Sequence, residues 1–172
     1  LGLTQSDVQF NGHAIEVRLC AEDAPQGFMP QSGQMRRWAM PASLRVEHAL
    51  HSGAHIPPYY DSMIAKLIVH GETREQALAY LDAALAQTRI VGLATNVQFL
   101  RHVVASESFA KADLDTALIQ REAAVLFEQE KIGAPLAMAG AIAFTLQQEK
   151  ALEAADPFSR RDGWRSHGPV SR

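Results

Sequence analysis

The chain has 172 residues, 47% of them apolar and 20% charged, with a formal net charge of -3. That suits one domain with a core of its own and something beyond it, and it offers neither a basic face for nucleic acid nor a polybasic patch for a membrane. Cys20 is the only cysteine, so no internal disulfide can form, a reducing compartment such as the cytoplasm is implied, and a small buried hydrophobe is the thiol's expected role.

Leu1-Gly2-Leu3-Thr4-Gln5 has no initiator Met, basic n-region or apolar h-region, so it reads as neither a signal peptide nor a natural start. From His13 to Leu19, apolar Ile15, Val17 and Leu19 alternate with Glu16 and Arg18, which predicts a strand with one wet face. Asp23 to Gly33 holds Pro25, Gly27 and Pro30 and is expected to be a loop with Phe28 and Met29 tucked inward. Gln34 to Ala39 is a candidate second strand ended by Pro41. Leu44 to His48 alternates again, placing Arg45 and Glu47 on one face and Leu44 and Val46 on the other. Pro57 and Pro58 force extended or turning chain, and Met63 to Val69, broken by Lys66, suits a buried strand.

After Gly71 the period becomes helical. Thr73 to Gln76 reads as a capping box, and Leu78, Leu81 and Leu85 form one apolar stripe. Gly92 interrupts it, and Thr95 to Gln98 repeats the box ahead of a second helix with Val97, Leu100 and Val104 inside. Asp115 or Thr116 is expected to cap a third helix reaching about Lys131. Pro135 suits the first turn of a fourth, from Leu136 to about Ala155. The apolar run from Ile132 to Leu146 stops short of the ~20 residues of a membrane span, so this helix is expected to pack against a neighbouring domain. Asp156 to Arg172 reads as a linker. The predicted class is α+β: an antiparallel strand-rich first half, of rudimentary barrel-sandwich type, with packed C-terminal helices and a linker helix. Residues 1–131 form the expected domain, and 132–172 the connecting helix and the truncated start of a linking domain.

Phosphate-loop, dinucleotide and nucleophile-elbow signatures are absent from the sequence. His48, His51 and His55 lack a matched cysteine pair or H-E-x-x-H spacing, so solvated loop histidines are expected in place of a metal site. Arg45 and Glu47, two apart on one strand face, can pair with each other.

The stretch LRVEHALHSGAHIPPYYDSMIAK, from Leu44 to Lys66, resembles the biotin carboxylase C-terminal domain. So do Gly12 to Leu19 followed by Ala21-Glu22-Asp23, the turn Phe28 to Gly33, and Gly92-Leu93-Ala94-Thr95-Asn96, four motifs in order over about residues 12 to 130. Ala24-Pro25 departs from the family's usual Asp-Pro. The resemblance implies a role in ATP- and bicarbonate-dependent carboxylation of biotin. Arg45 matches the family's arginine that stabilises the anionic ureido oxygen of biotin, a task suited to a guanidinium with five donors. Glu47 is then a supporting residue that orients Arg45, and Asp61, Lys66, Tyr59 and Tyr60 are read as structural, with Asp61 buried.

By the same resemblance the ATP-grasp part, with ATP and its Mg or Mn, lies before Leu1. The biotin-bearing carrier lies beyond Arg172, because Ala137-Met138-Ala139-Gly140 lacks the biotinyl lysine. This chain itself would then bind no cofactor or metal, and alone it is expected to be inactive. Val91, Ala94, Asp115-Thr116 and Ile119-x-Arg121-Glu122 lean toward 3-methylcrotonyl-CoA carboxylase α subunits. The implied partners are the ATP-grasp part, the carrier domain, a carboxyltransferase β subunit that selects the acyl-CoA, and a second copy in a homo-oligomer. His70 and Arg74 mark a candidate dimer edge. The alternative is a non-catalytic dimerisation and docking scaffold.

Overall fold

A computed structural model describes residues 2–42, 44–129 and 133–155. The chain divides into two units, Leu1–Glu128 and Gln129–Arg172. The first is built on a three-stranded antiparallel sheet in the order β1 (His13–Cys20), β8 (Met63–Gly71), β6 (Arg45–His48). Three two-stranded ladders surround it: β2 (Glu22–Asp23) with β3 (Met29–Pro30), β4 (Gly33–Gln34) with β7 (His55–Ile56), and β5 (Arg37–Ala39) with β9 (Arg89–Val91).

The alternation in β1 does what its sequence predicts. Ile15, Val17 and Leu19 are buried while Ala14, Glu16 and Arg18 face out. Against β8 the register shifts between Leu19 and Cys20: Leu19 pairs with Ala65 but Cys20 with Met63. Ile64 is the extra residue of a bulge, which is why Ile64 and Ala65 are both buried in a strand that otherwise alternates. Helix α1 (Arg74–Gln87) covers the inner face with Ala77, Leu78, Leu81 and Leu85. Met35, Ile56 and Val104 complete this core, in which each large side chain contributes about 1.5–3 kcal/mol by burial.

The cap of α1 is close to its expected form. Thr73 Oγ1 accepts from Gln76 N, while Gln76 Oε1 reaches one residue further than expected and accepts from Glu72 N. Helix α2 (Val97–Ala105) corrects the second capping box. Asn96 is its N-cap and makes no side-chain cap bond, because its amide is used elsewhere. The predicted third helix is broken into single turns, α4 (Leu118–Arg121) and α5 (Ala123–Leu126), preceded by an unforeseen turn, α3 (Glu107–Ala110). Asp115 is not the cap expected of it: the N-cap of α4 is Ala117, without a side-chain cap bond, and Asp115 Oδ1 accepts from Ala117 N at 2.9 Å just ahead of the helix.

Gln34 to Ala39 is two short strands instead of one. Gln34 pairs toward His55, Arg37 to Ala39 pair with β9, and fully buried Met35 marks the change of partner. Phe28 packs edge-on against Phe99 and Phe127, as an inward residue should, but Met29 is exposed. Phe28 has a left-handed φ of 61°, and that twist sends the two neighbours to opposite sides. In the second unit, α6 (Ala134–Ala155) exposes Leu136, Met138, Ile142, Phe144 and Leu146. No helix among the described residues is long and apolar enough to cross a membrane. The expected linker from Asp156 onward lies outside the described residues.

Candidate functional site

Strand β6 is short, and its first residue is Arg45. It pairs with Ile68, so β8 runs on past it through Val69, His70 and Gly71 without a neighbour from β6. A cleft of about 660 Å³ opens there, walled by Leu44, Arg45, Ile68, Val69 and His70 on the strand side and by Tyr80, Ala83 and Gln87 of α1. Its lining is mostly apolar, with Arg45, His70, Tyr80 and Gln87 as the polar groups. Such a composition suits a ligand with an apolar body and a few oriented polar atoms.

Arg45 Nε donates to Glu47 Oε1 at 2.8 Å, and both side chains are exposed, Arg45 by 71%. The pairing read from their two-residue spacing is therefore present. It engages only Nε and leaves Nη1 and Nη2 without a hydrogen bond among the described residues, so pairing with Glu47 and binding an anion are compatible. The two Nη nitrogens thus keep four N–H donors that an anionic oxygen could accept from.

His70 lies on the same outward face of β8 and lines the same cleft, so two residues singled out by sequence, Arg45 and His70, are brought together. Its Nε2 lies 2.9 Å from the Asn11 carbonyl. Arg74 points elsewhere. It donates to the carbonyls of Phe109 and Ala110, lies 5.2 Å over the Phe109 ring, and places Nη1 3.0 Å from His13 Nε2. This cluster ties α3 to the start of α1.

The loop Pro57-Pro58-Tyr59-Tyr60 corrects two expectations. Tyr59 and Tyr60, expected to pack, are 91% and 98% exposed, since the chain turns at Pro58 and Tyr59 after the consecutive prolines. Asp61 is also exposed, yet it does bond backbone, accepting from Met63 N at 3.0 Å. Tyr60, Asp61 and Ser62 line a shallower hollow of about 460 Å³ with Pro30 and Gln31. Lys66 finds its acid in Glu16, at 3.7 Å.

Cys20 is half-buried and its thiol is pushed above the ordinary range, first by burial and then by Glu22 and Asp61, which makes it a poor nucleophile. His48 accepts from Leu50 N and lies with its ring centre 5.0 Å from that of Trp38, tilted at 50° to it, and His51 bonds the Ser52 carbonyl. No three His, Cys, Asp or Glu side chains converge as metal ligands would among the described residues.

The family model of the biotin carboxylase C-terminal domain matches residues 16–121. Biotin carboxylase 1 of Bacillus subtilis is 40% identical over 122 residues, which cover 70% of this chain and 27% of that protein. The mitochondrial methylcrotonoyl-CoA carboxylase subunit alpha of Oryza sativa subsp. japonica is 41% identical over 124 residues, 70% of this chain and 17% of that one. Among solved structures, the biotin carboxylase domain dimer of Hydrogenobacter thermophilus 2-oxoglutarate carboxylase, in complex with MgADP, ADP and bicarbonate, superimposes with a TM-score of 0.73 at 36% identity. It matches 76% of this chain and 29% of its own. The chain thus spans less than a third of the length of each of these relatives. The matched region holds most of the main sheet and of the cleft, with the Arg45–Glu47 pair, and by this match the chain belongs to the biotin carboxylase C-terminal domain family.

Proposed function

We propose that the chain is the C-terminal part of the biotin carboxylase component of an acyl-CoA carboxylase, most like a methylcrotonoyl-CoA carboxylase α subunit. In this reading Arg45 supplies donors to a carboxylation site whose nucleotide-binding half lies in the ATP-grasp part of the same protein. The observation that carries it is the Arg45 guanidinium itself: fixed at Nε by Glu47, at the mouth of a mostly apolar cleft, with two nitrogens left for an anionic oxygen.

Biotin, carried on a separate domain, supplies a ureido nitrogen that takes up and transfers CO2. Arg45 holds the ureido oxygen as negative charge gathers there, and Glu47 fixes the guanidinium plane. Binding of ATP and its Mg or Mn is assigned in this reading to the ATP-grasp part. The 172-residue chain is then inactive alone. The acyl-CoA is chosen by a carboxyltransferase β subunit, and the whole works in the cytoplasm. The short ladders around the main sheet fit a rudimentary barrel-sandwich, and α6, apolar on several sides, fits a connecting helix that packs against the next domain.

In the full-length subunit, Arg45→Ala is expected to lower biotin-dependent carboxylation about a hundred- to thousandfold. The melting temperature should not move, since the side chain is exposed. Arg45→Lys restores charge but not the planar fork and should recover little of the rate. An unaltered rate in both variants would reduce Arg45 to a surface ion pair. A scaffold role is the second reading, with His70, which is exposed, and Arg74, which is turned onto Phe109 and Ala110, as the proposed dimer edge. His70→Glu should weaken self-association measured by sedimentation at low concentration.

A further inference from the structure

Strand β1 ends the main sheet on one side, and its outer edge is open. Along a strand, alternate residues turn their backbone groups to opposite sides. Leu19 and Ala21 face β8: Leu19 pairs with Ala65, and Ala21 N donates to the Ser62 carbonyl at 2.8 Å. Arg18 and Cys20 face the other way, onto Asn96, which donates to the Arg18 carbonyl and accepts from Cys20 N. By the same alternation Ile15 and Val17 bond β8, while Ala14 and Glu16 share the outer edge with Arg18. The N–H and C=O of Ala14 and Glu16, and the N–H of Arg18, have no hydrogen-bond partner among the described residues.

These backbone groups follow one another on residues exposed to solvent, and such an edge takes up another strand. Neither a proline nor an inserted residue in β1 blunts it, since the bulge lies in β8. Asn96 closes only the end, standing where the backbone of a next strand would run. A strand added here therefore pairs from Ala14 to Arg18 and stops at Cys20. The segment leading into β1 leaves Leu3, Val8 and Phe10 exposed, Phe10 wholly. Bare apolar side chains next to an open edge point to a neighbouring body at the same place. The relatives are more than three times as long as the stretch they share with this chain, so they hold ample polypeptide to supply one.

We propose that the outer edge of β1 is completed by an extended segment from the preceding part of the same protein, so that the main sheet runs on into it. Covalent connection ahead of β1 raises the local concentration of such a segment above that of any foreign chain. Its side chains alternate to match, apolar beside Ile15 and Val17 and polar beside Glu16 and Arg18. That the preceding part is an ATP-grasp part rests on the proposed function; the strand pairing does not.

Residue-resolved amide exchange in the full-length subunit tests the pairing, because β1 holds its own controls. The Ile15, Val17 and Leu19 amides, bonded to β8, report that the sheet is intact. The Ala14, Glu16 and Arg18 amides are expected to exchange about as slowly as these, and about tenfold or more slower than in the 172-residue chain. Fast exchange of all three in the full-length subunit, with the controls slow, overturns the proposal. So does protection in the 172-residue chain that grows with its concentration, which assigns the edge to a second copy. Glu16→Pro removes one outer N–H and takes no bond from β8. In the full-length subunit it should speed Ala14 and Arg18 about tenfold with the controls unmoved. No change at either residue means that side chains cover the edge without pairing to it, and overturns the proposal too. Should proline loosen the sheet, the controls quicken as well, and the unsubstituted proteins decide. Nucleotide binding by the subunit is measured alongside. Protection without it removes the ATP-grasp reading and keeps the pairing, and binding without protection does the reverse.

Discussion

The side chain of Asn96 finishes the hydrogen bonding of β1 at Cys20. Its Oδ1 accepts from the Cys20 N–H at 2.8 Å, its Nδ2 donates to the Arg18 carbonyl at 3.1 Å, and its own backbone N–H donates to the Cys20 carbonyl at 3.1 Å. One buried amide thus does the work of a short neighbouring strand and anchors α2 to the sheet. Asn96→Ala would leave the Cys20 N–H and Arg18 carbonyl without these partners, at a cost of about 2–4 kcal/mol. Asn96→Asp keeps the acceptor but turns an oxygen on the Arg18 carbonyl, so it should rescue little. Urea denaturation of the three proteins checks both, and a midpoint unchanged in Asn96→Ala would show that the contact contributes nothing net.

Gly92 makes a different demand. Its φ is 127°, and a Cβ there would lie 2.1 Å from the Gln34 carbonyl oxygen and 2.8 Å from Arg36 N. That close approach is what allows Arg36 N to donate to the Val91 carbonyl at 2.7 Å at the end of the β5–β9 ladder. Gly92→Ala should therefore cost about 3 kcal/mol or more, since strain and backbone overlap combine. Gly27 also has a positive φ, 70°, but open space around it. Gly27→Ala should cost only the left-handed penalty of about 1–2 kcal/mol. Thermal unfolding of the two variants side by side separates crowding from conformation.

These two residues show where the sequence could be read and where it could not. The G-x-x-T-N motif was visible, but its local pattern resembled a helix cap. The partners of Asn96 lie 76 and 78 residues away, beyond any pattern confined to one element. The alternation of β1 and the leucine stripe of α1 were legible because each needs only its own period. The Arg45–Glu47 pair was legible for the same reason. The cleft beside Arg45 was not, since it exists only because β6 stops at Arg45 while β8 continues to Gly71. Nor was the Lys66–Glu16 pair, which depends on the register of two strands far apart in the chain. Exposure of Tyr59 and Tyr60 ran against their aromatic character, and the preceding prolines carried the stronger signal.

Arg74 joins four partners at once, and a lysine cannot reproduce that. Since Arg74 can only donate, His13 Nε2 is the acceptor in this contact. Loss of the bonds to the Phe109 and Ala110 carbonyls frees the end of α3. Arg74→Ala is expected to destabilise the chain by about 1–3 kcal/mol and to raise amide exchange in residues 107–113 ahead of the main sheet. Arg74→Lys should recover only part of it. Any change in self-association on Arg74→Glu must therefore be compared with His70→Glu, which leaves this cluster intact. Hydrogen exchange read by mass spectrometry locates the effect, and uniform exchange throughout the chain would argue against a local clasp.

Asp115 ties the pH dependence of stability to the start of α4. Its carboxylate accepts from Arg121 Nη1 at 2.7 Å and from Ala117 N at 2.9 Å. Arg121 first, and the backbone bond at Ala117 after it, hold the carboxyl below its ordinary value of 3.8, against a smaller opposing effect of burial. The folded state thus prefers the ionised form more than the unfolded state does. Its stabilisation is complete above the unfolded value, declines as pH falls through about 4, and is gone below the lowered folded value. Asp115→Asn removes this contribution at neutral pH but has less to remove in acid. The melting-temperature gap between parent and variant should be full at pH 7 and narrow steadily below about pH 4. A gap that stayed constant with pH, or widened in acid, would show that the Arg121 contact does not favour the ionised carboxylate in the folded chain.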